Sequence, residues 1–279
     1  MVKAAELVAG ARAASLRLAI AAFRMLPRPI YLRVKATPSF NRVGRRVLDT
    51  MIPPGRWSVI EIVGGPLRGA RMELDGRVHK EMVVGYHEPH IVRVIEAQLR
   101  RGGLAFDVGA HLGYFTLLMA RIVGDEGKVV ALEPDPKVFA ILGGNLARNP
   151  GFSAGCVIPV QAAVGGREGE AQFAEGLDSS TGKLSPEGRT AVLVTTLDRL
   201  SRCFGVPHLV KMDIEGGEVE AIRGAQSVLA ARQTTFVIEA HTPTLDGECR
   251  ALLDAGGYAC EHLWRGPAGA THILCRPRE

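Results

Sequence analysis

The 279-residue sequence is marked first by what it does without. No stretch approaches the ~20 consecutive apolar residues of a membrane-spanning helix. The first 26 residues offer no uncharged run long enough for a secretion signal, because Arg12, Arg17 and Arg24 interrupt them, so a cytoplasmic protein is expected. The five cysteines show neither a C-x-x-C pair nor any other metal-ligand spacing. Their odd number and scatter predict reduced thiols, and no metal ligands are assigned. No internal repeat is visible, which excludes a solenoid. Acidic residues are nearly missing from one region: residues 1–56 hold 11 of the 34 Lys and Arg but only Glu6 and Asp49 of the 29 acids. Beyond them stand 23 basic and 27 acidic residues, so the net charge of +5 hides a basic leader on a mildly acidic body. Such a body argues against nucleic-acid binding, and such a leader suits an anionic partner.

With 47% apolar residues, the chain can bury the core of one large α/β domain with an N-terminal extension. Residues 3–26 have helical composition and stop at Pro27 and Pro29. At 100° per residue, Lys3, Glu6, Arg17 and Arg24 form one narrow arc, while Leu7, Leu16, Ile20, Phe23 and other apolar residues cover the rest. Two roles stand open for this helix. One is peripheral docking on an anionic membrane; the other is packing on the domain or on a second copy in a homodimer. Residues 1–56 are therefore set apart from a body at 57–279, whose core is expected at 104–276.

The body opens with strand patterns at 57–62 and 70–74 and a helix near 90–100. Strand and helix patterns then alternate. Apolar runs at 104–108, 128–132 and 157–164 suit buried parallel strands, with helices at 114–122 and 136–147 between them. A hairpin is expected from 170–175 with 191–195. Strands resume at 209–214, 235–240, 258–263 and 272–276, with helices at 217–230 and 244–255. This alternation predicts an open, mainly parallel sheet with helices on both faces.

The strongest motif is Asp107-Val108-Gly109-Ala110-His111-Leu112-Gly113, at the end of a strand that opens a helix. Gly109 permits the tight turn, and Gly113 permits close backbone approach by a ligand. A dinucleotide fingerprint would place a glycine where Asp107 stands. A carboxylate there repels a pyrophosphate and attracts a cation. S-adenosylmethionine, which carries an ammonium and a sulfonium and no phosphate, matches that exchange. Glu133-Pro134 ends the next strand, 20 residues past Gly113, where an acid can accept both ribose hydroxyls. Ala162, at the end of the third strand, borders the adenine by position. The cofactor candidates are thus Asp107, Gly109, Ala110, His111, Gly113, Glu133, Pro134 and Ala162.

Asp213, Glu215 and Glu218 then crowd three carboxylates into six residues after a buried strand. Ligands of open α/β sheets bind beyond such strand ends, so Asp213 and Glu215 should face the site. Glu218 stands in the first turn of a helix, where a carboxylate also favours the helix dipole. One strand later, alternation puts Glu239 and His241 on the same side. The pair reads as a base, His241, with Glu239 as its orienter. The same acids could instead hold a divalent metal that chelates a diol, although nothing in the sequence requires one.

Taken together, these motifs resemble the FkbM family of S-adenosylmethionine-dependent methyltransferases over about residues 80–265. The resemblance includes Gly85–Pro89, Asp107–Gly113, Glu133–Pro136, Asn145 with Asn149, Ala162–Val164, Thr195–Asp198, Arg223–Ala225 and Glu239–His241. Its most specific part is the Lys-x-Asp-x-Glu-Gly-x-Glu run from Lys211 to Glu218 after Thr-Leu-Asp. It implies the class I methyltransferase sheet with an antiparallel last strand, and O-methylation of a metabolite, sugar or glycolipid hydroxyl. His111 departs from the family's usual Asn, and the basic leader has no counterpart in the motif set. Two competing functions remain: a nicotinamide-dependent dehydrogenase, which Asp107 disfavours, and a non-catalytic scaffold on the same fold.

Overall fold

The structure, a computed structural model, describes residues 57–76, 78–153, 155–176, 181–266 and 269–278. The expected leader helix and linker lie outside these residues, and with them the choice between membrane docking and packing. Among the described residues, no helix is long and apolar enough to cross a membrane.

Two compact units divide at His87 and Glu88. In the first, β1 (Trp57–Glu61) and β2 (Arg71–Asp75) form an antiparallel hairpin, followed by the short helix α1 (Lys80–Val83). The hairpin forms where alternating apolar residues flank a Gly/Pro-rich stretch.

The second unit begins with α2 (Pro89–Gln98), then β3 (Leu104–Val108), α3 (Tyr114–Val123), β4 (Lys128–Leu132), α4 (Pro136–Ala147), α5 (Pro150–Ser153) and β5 (Val157–Val160). Next come β6 (Ala163–Val164), β7 (Gly169–Ala174), β8 (Lys183–Leu184), β9 (Thr190–Thr195) and α6 (Leu197–Phe204). The chain closes with β10 (Leu209–Met212), α7 (Glu218–Arg223), α8 (Gln226–Ala231), β11 (Thr235–Ala240), α9 (Pro243–Ala255), β12 (Tyr258–Arg265) and β13 (Thr271–Pro277).

Seven strands form the central sheet in the order β12-β13-β11-β10-β3-β4-β5. Neighbours from β11 through β5 are parallel, and β13 runs antiparallel to both β11 and β12. This is the expected α/β sheet with an antiparallel last strand. Every residue of β3 is buried, as a central parallel strand covered on both faces requires. The chain starts at β3, builds outward to β5, then returns to add β10 on the other side. That reversal sets the loops after β3 and β10 side by side at the carboxyl ends of the strands, where open α/β sheets bind ligands.

The expected strand at 157–164 is two strands in two sheets. β5 stays at the edge of the central sheet, whereas β6 joins β9, β7 and β8 in a separate four-stranded sheet. The expected hairpin at 170–195 is present there, with Glu170 opposite Leu193. The expected helix at 217–230 is broken into α7 and α8 at Gly224. A Cβ on Gly224 would lie 2.3 Å from the Gly165 carbonyl oxygen, and its own carbonyl accepts from Asp198 N at 2.9 Å. The cysteine expectation is also corrected. Cys260 and Cys275 stand directly opposite each other on β12 and β13 and are joined as a disulfide, while Cys156, Cys203 and Cys249 are free.

Candidate active site

The junction of β3 and β10 is built around one ammonium. Asp213 N donates to Val108 O at 3.0 Å, and Lys211 Nζ donates to Gly109 O at 2.9 Å. Gly109 has φ 76°, and a Cβ there would lie 1.8 Å from the Asp213 carbonyl oxygen, so only glycine fits. Lys211 Nζ is also 3.7 Å from Asp107 Oδ1 and 3.6 Å from Asp213 Oδ2. Burial alone would lower its pKa, but Asp213, Asp107, Glu88 and Glu239 outweigh burial and raise it.

Asp107 is fully buried, and the Thr116 hydroxyl donates to its Oδ2 at 2.6 Å. The expectation that this carboxylate attracts a ligand cation is therefore corrected: its cation is Lys211. Burial pushes the Asp107 carboxyl up, against the pull of Lys211 and the Thr116 hydroxyl. Gly113 also serves packing. A Cβ there would lie 2.6 Å from Leu142 Cδ1, so the residue lets α3 and α4 close together. Ala110 N, like Gly109 N, donates to Leu132 O, which fixes the turn against the end of β4.

Glu133 sits where an acid for a ribose is needed. Its Oε2 accepts from His111 N and its Oε1 from Asp135 N, both at 3.0 Å. Each oxygen keeps a further lone pair for a ligand hydroxyl. Burial raises its carboxyl to about 7 despite those two N–H donors. Pro134 follows it half-buried, and Ala162 is buried just past β5. His111 has φ 49°, a left-handed position that asparagine adopts readily and histidine tolerates.

Beyond β10 and β11 lies a knot of acids around His241. Its Nε2 is 3.3 Å from Glu215 Oε2, 3.5 Å from Asp213 Oδ1 and 3.9 Å from Glu239 Oε1. Its Nδ1 is 3.3 Å from Glu218 Oε1. Glu218 is fully buried and also accepts from Gly216 N at 3.1 Å. The expected orienter, Glu239, thus gives way to Glu218. Glu239 Oε2 instead lies 3.0 Å from His272 Nε2, directly across the β11–β13 pairing. With acids facing both ring nitrogens, His241 is an imidazolium. Burial works against its charge, yet Glu215, Glu218 and Asp213 raise its pKa to about 11. It therefore has no lone pair with which to act as the expected base. Asp213 is held below the usual carboxylate range, because Lys211 and His241 overcome its burial.

Sequence reasoning overlooked three residues here as site candidates. Glu88 caps α2 in a left-handed conformation, φ 38°, and shares with Glu239 and His272 a group whose ligand atoms lie within 4.8 Å of one another. Burial, Asp213 and Glu239 raise its carboxyl to about 7, against His272 and Lys211. His272 is buried, and Nδ1 of its ring contacts Nε2 of His90. Burial and His272 lower His90 to about 4, so His90 is neutral. The clue to Glu88 was the Gly85–Pro89 segment; no sequence signal announced His272, which comes into place only through the antiparallel register. Asp213, Glu239 and His241 form a second group of the same closeness, in which the His241 imidazolium already supplies the cation. Among the described residues, three of the four non-glycine residues at positive φ, Glu88, His111 and Glu215, lie in the loops of this site.

The donor set suits a cationic ligand with hydroxyls. Asp213, Glu215, Glu239 and Glu133 present carboxylates, whereas Lys211 is already committed to Gly109, Asp107 and Asp213. A dinucleotide's phosphates would meet acids.

The sequence model of the family described as "Methyltransferase FkbM domain" matches residues 107–260, more than half of the chain. The chain belongs to this family. It is 29% identical over 155 residues to "Hexuronic acid methyltransferase AglP" of Haloferax volcanii, covering 54% of this chain and 61% of that relative. The chain thus spans about three fifths of the length of that curated relative. Among solved structures it is similar to methyltransferase FkbM from Methylobacillus flagellatus KT, with 18% identity and a TM-score of 0.49 over 70% of this chain and 52% of that one. A SAM-dependent O-methyltransferase from Thermotoga maritima is 14% identical, with a TM-score of 0.47 over 86% and 82%.

The His241 assignment has a signed pH consequence. A pKa raised from 6.5 to about 11 contributes stability that is fully present below pH 6.5 and is lost as pH rises through about 11. In NMR titration, the His241 ring should keep imidazolium shifts up to about pH 9, while His90 stays neutral from about pH 6 upward. A His241 ring that turns neutral by about pH 8 would contradict the assignment.

Proposed function

We propose that this FkbM-family chain transfers a methyl group from S-adenosylmethionine to a hydroxyl oxygen of a sugar-type acceptor. The observation that carries the reading is the convergence of Glu133, Asp213, Glu215 and Glu239 around one strand junction whose ammonium, Lys211, is already spent. The Haloferax volcanii relative, named for a hexuronic acid, supports a sugar as acceptor.

Glu133, with the turn from Gly109 to Gly113, would hold the ribose side of the cofactor, and Ala162 would border its base. S-adenosylmethionine supplies a methyl carbon on a positively charged sulfur, open to in-line attack by the acceptor oxygen. The residues of the knot then have two tasks. Asp213, Glu215 and the His241 imidazolium fix the acceptor hydroxyl, since alignment accounts for much of the rate in such displacements. Glu88 takes the hydroxyl proton. It stands beside Glu239 and His272 at the same strand ends, and a carboxyl near 7 is ionised enough to accept a proton at neutral pH and basic enough to hold it.

Two experiments test this reading. Glu133→Ala should weaken S-adenosylmethionine binding by roughly ten- to a hundredfold in calorimetric titration, the loss expected for charge-assisted hydrogen bonds. Unchanged affinity would remove Glu133 from the cofactor site.

A base must be ionised to work, so kcat should fall as pH drops through about 7 and level off above it. Glu88→Gln should lower kcat by about 10²-fold or more and abolish that limb of the pH–rate profile. Survival of the limb in Glu88→Gln would place the proton acceptor elsewhere in the knot.

A further inference from the structure

Four residues past the stretch that matches the family, Trp264 stands exposed beside the acid knot. Its relative exposure is 41%, high for so large an apolar side chain. Three observations say that the ring is held in place. It stacks on His90, with centroids 5.9 Å apart and planes at 15°, and it leans on His272 at 5.1 Å. It also lies against Gly266, where a Cβ would come within 2.5 Å of the indole. A register shift between His262 and Trp264 re-aims this end of β12. β12 runs in the same direction as β11, so Trp264 reaches the same end of the sheet as Glu239 and His241.

The chain of contacts from the indole to the reacting end is short. Trp264 touches His272, His272 Nε2 lies 3.0 Å from Glu239 Oε2, and Glu239 Oε1 lies 3.9 Å from His241. The indole is thus followed, through His272, by the Glu239 carboxylate and then by the acids around His241. This pairing matches the two surfaces of a pyranose. The C–H face of the sugar ring is apolar and weakly electropositive, so it packs on the electron-rich face of an indole. Its hydroxyl edge presents donors, which carboxylates accept. A plain apolar ligand would leave the acids unsatisfied, and a small polar one would leave the indole uncovered.

We infer that Trp264 is the platform on which a pyranose ring of the acceptor stacks, directing one hydroxyl toward Glu88, Asp213 and Glu239. The inference rests on the sugar-hydroxyl reading above and makes Trp264 a positioning residue, with His90 and His272 as its backing.

The 279-residue chain contains two tryptophans, so Trp57→Phe leaves Trp264 as its single indole, excited selectively near the red edge of tryptophan absorption. In that background, with S-adenosylhomocysteine present, methyl glucopyranoside and methyl glucuronide are titrated separately while indole emission is followed. At least one should give a saturable change. In calorimetry or saturation-transfer NMR, Trp264→Ala should weaken binding of that sugar by about three- to tenfold, the range of an aromatic stacking contact. Trp264→Tyr, which keeps a flat aromatic face, should restore most of it. Affinity for S-adenosylmethionine should stay unchanged in both variants, which separates a lost platform from a damaged fold. Sugar binding that is equal in wild type and Trp264→Ala, or absent for both sugars while the cofactor binds, would overturn the inference. Failure of the wild type to bind the cofactor would instead strike the underlying methyltransferase reading.

Discussion

The site depends on one buried ammonium. Lys211 stands near the end of β10, at the point where the order of the sheet reverses, and its Nζ ties the Gly109 carbonyl on one side to Asp107 and Asp213 around it. Two carboxylates and a turn carbonyl converging without that cation would repel one another in a region of low dielectric. With it, the ends of β3 and β10 can be packed closely enough for the Asp213 carbonyl to sit against Gly109. The ammonium is consumed in doing so. What the cleft then offers a ligand is an excess of acid, and this one structural commitment is what distinguishes the site from a phosphate-binding turn on the same topology.

The same logic extends along β11 and β13. His241 and His272 each hold apart carboxylates that would otherwise repel, and each is in turn fixed by them. Glu88, His111 and Glu215 are held at positive φ in the surrounding loops, a cost of order 1 kcal/mol or more apiece that the rest of the domain sustains. Charge and strain are therefore concentrated at one end of an otherwise apolar sheet.

Most of the sheet was legible in the sequence because its central strands are short runs of buried apolar residues between glycine-marked turns. Leu104–Val108, Lys128–Leu132 and Thr235–Ala240 stand where they were expected. The failures have physical causes. Val157–Val164 is an apolar run broken only by Pro159 and Gln161, and such a run does not show that the chain leaves one sheet for another after Val160. The eight-residue helix Leu197–Phe204, capped by the Thr196 hydroxyl on Arg199 N at 3.0 Å, is too short for periodicity to announce it. The Cys260–Cys275 pair and the Glu239–His272 contact both depend on the register of antiparallel strands, which spacing along the chain does not encode. In the site, Asp213, Glu215, Glu239 and His241 do come together as the motifs implied. Their division of labour was hidden, since it is set by Lys211, Glu218, Glu88 and His272 approaching from other elements.

Lys211 is the cation that makes the junction possible, and a denaturation double-mutant cycle measures this directly. Lys211→Met should lower the unfolding free energy by about 3–5 kcal/mol, the cost of leaving buried carboxylates without their partner. Adding Asp107→Asn should recover a substantial part of the loss, because the two sites are coupled. A Lys211→Met protein within about 1 kcal/mol of the wild type, with no recovery in the double variant, would contradict the account.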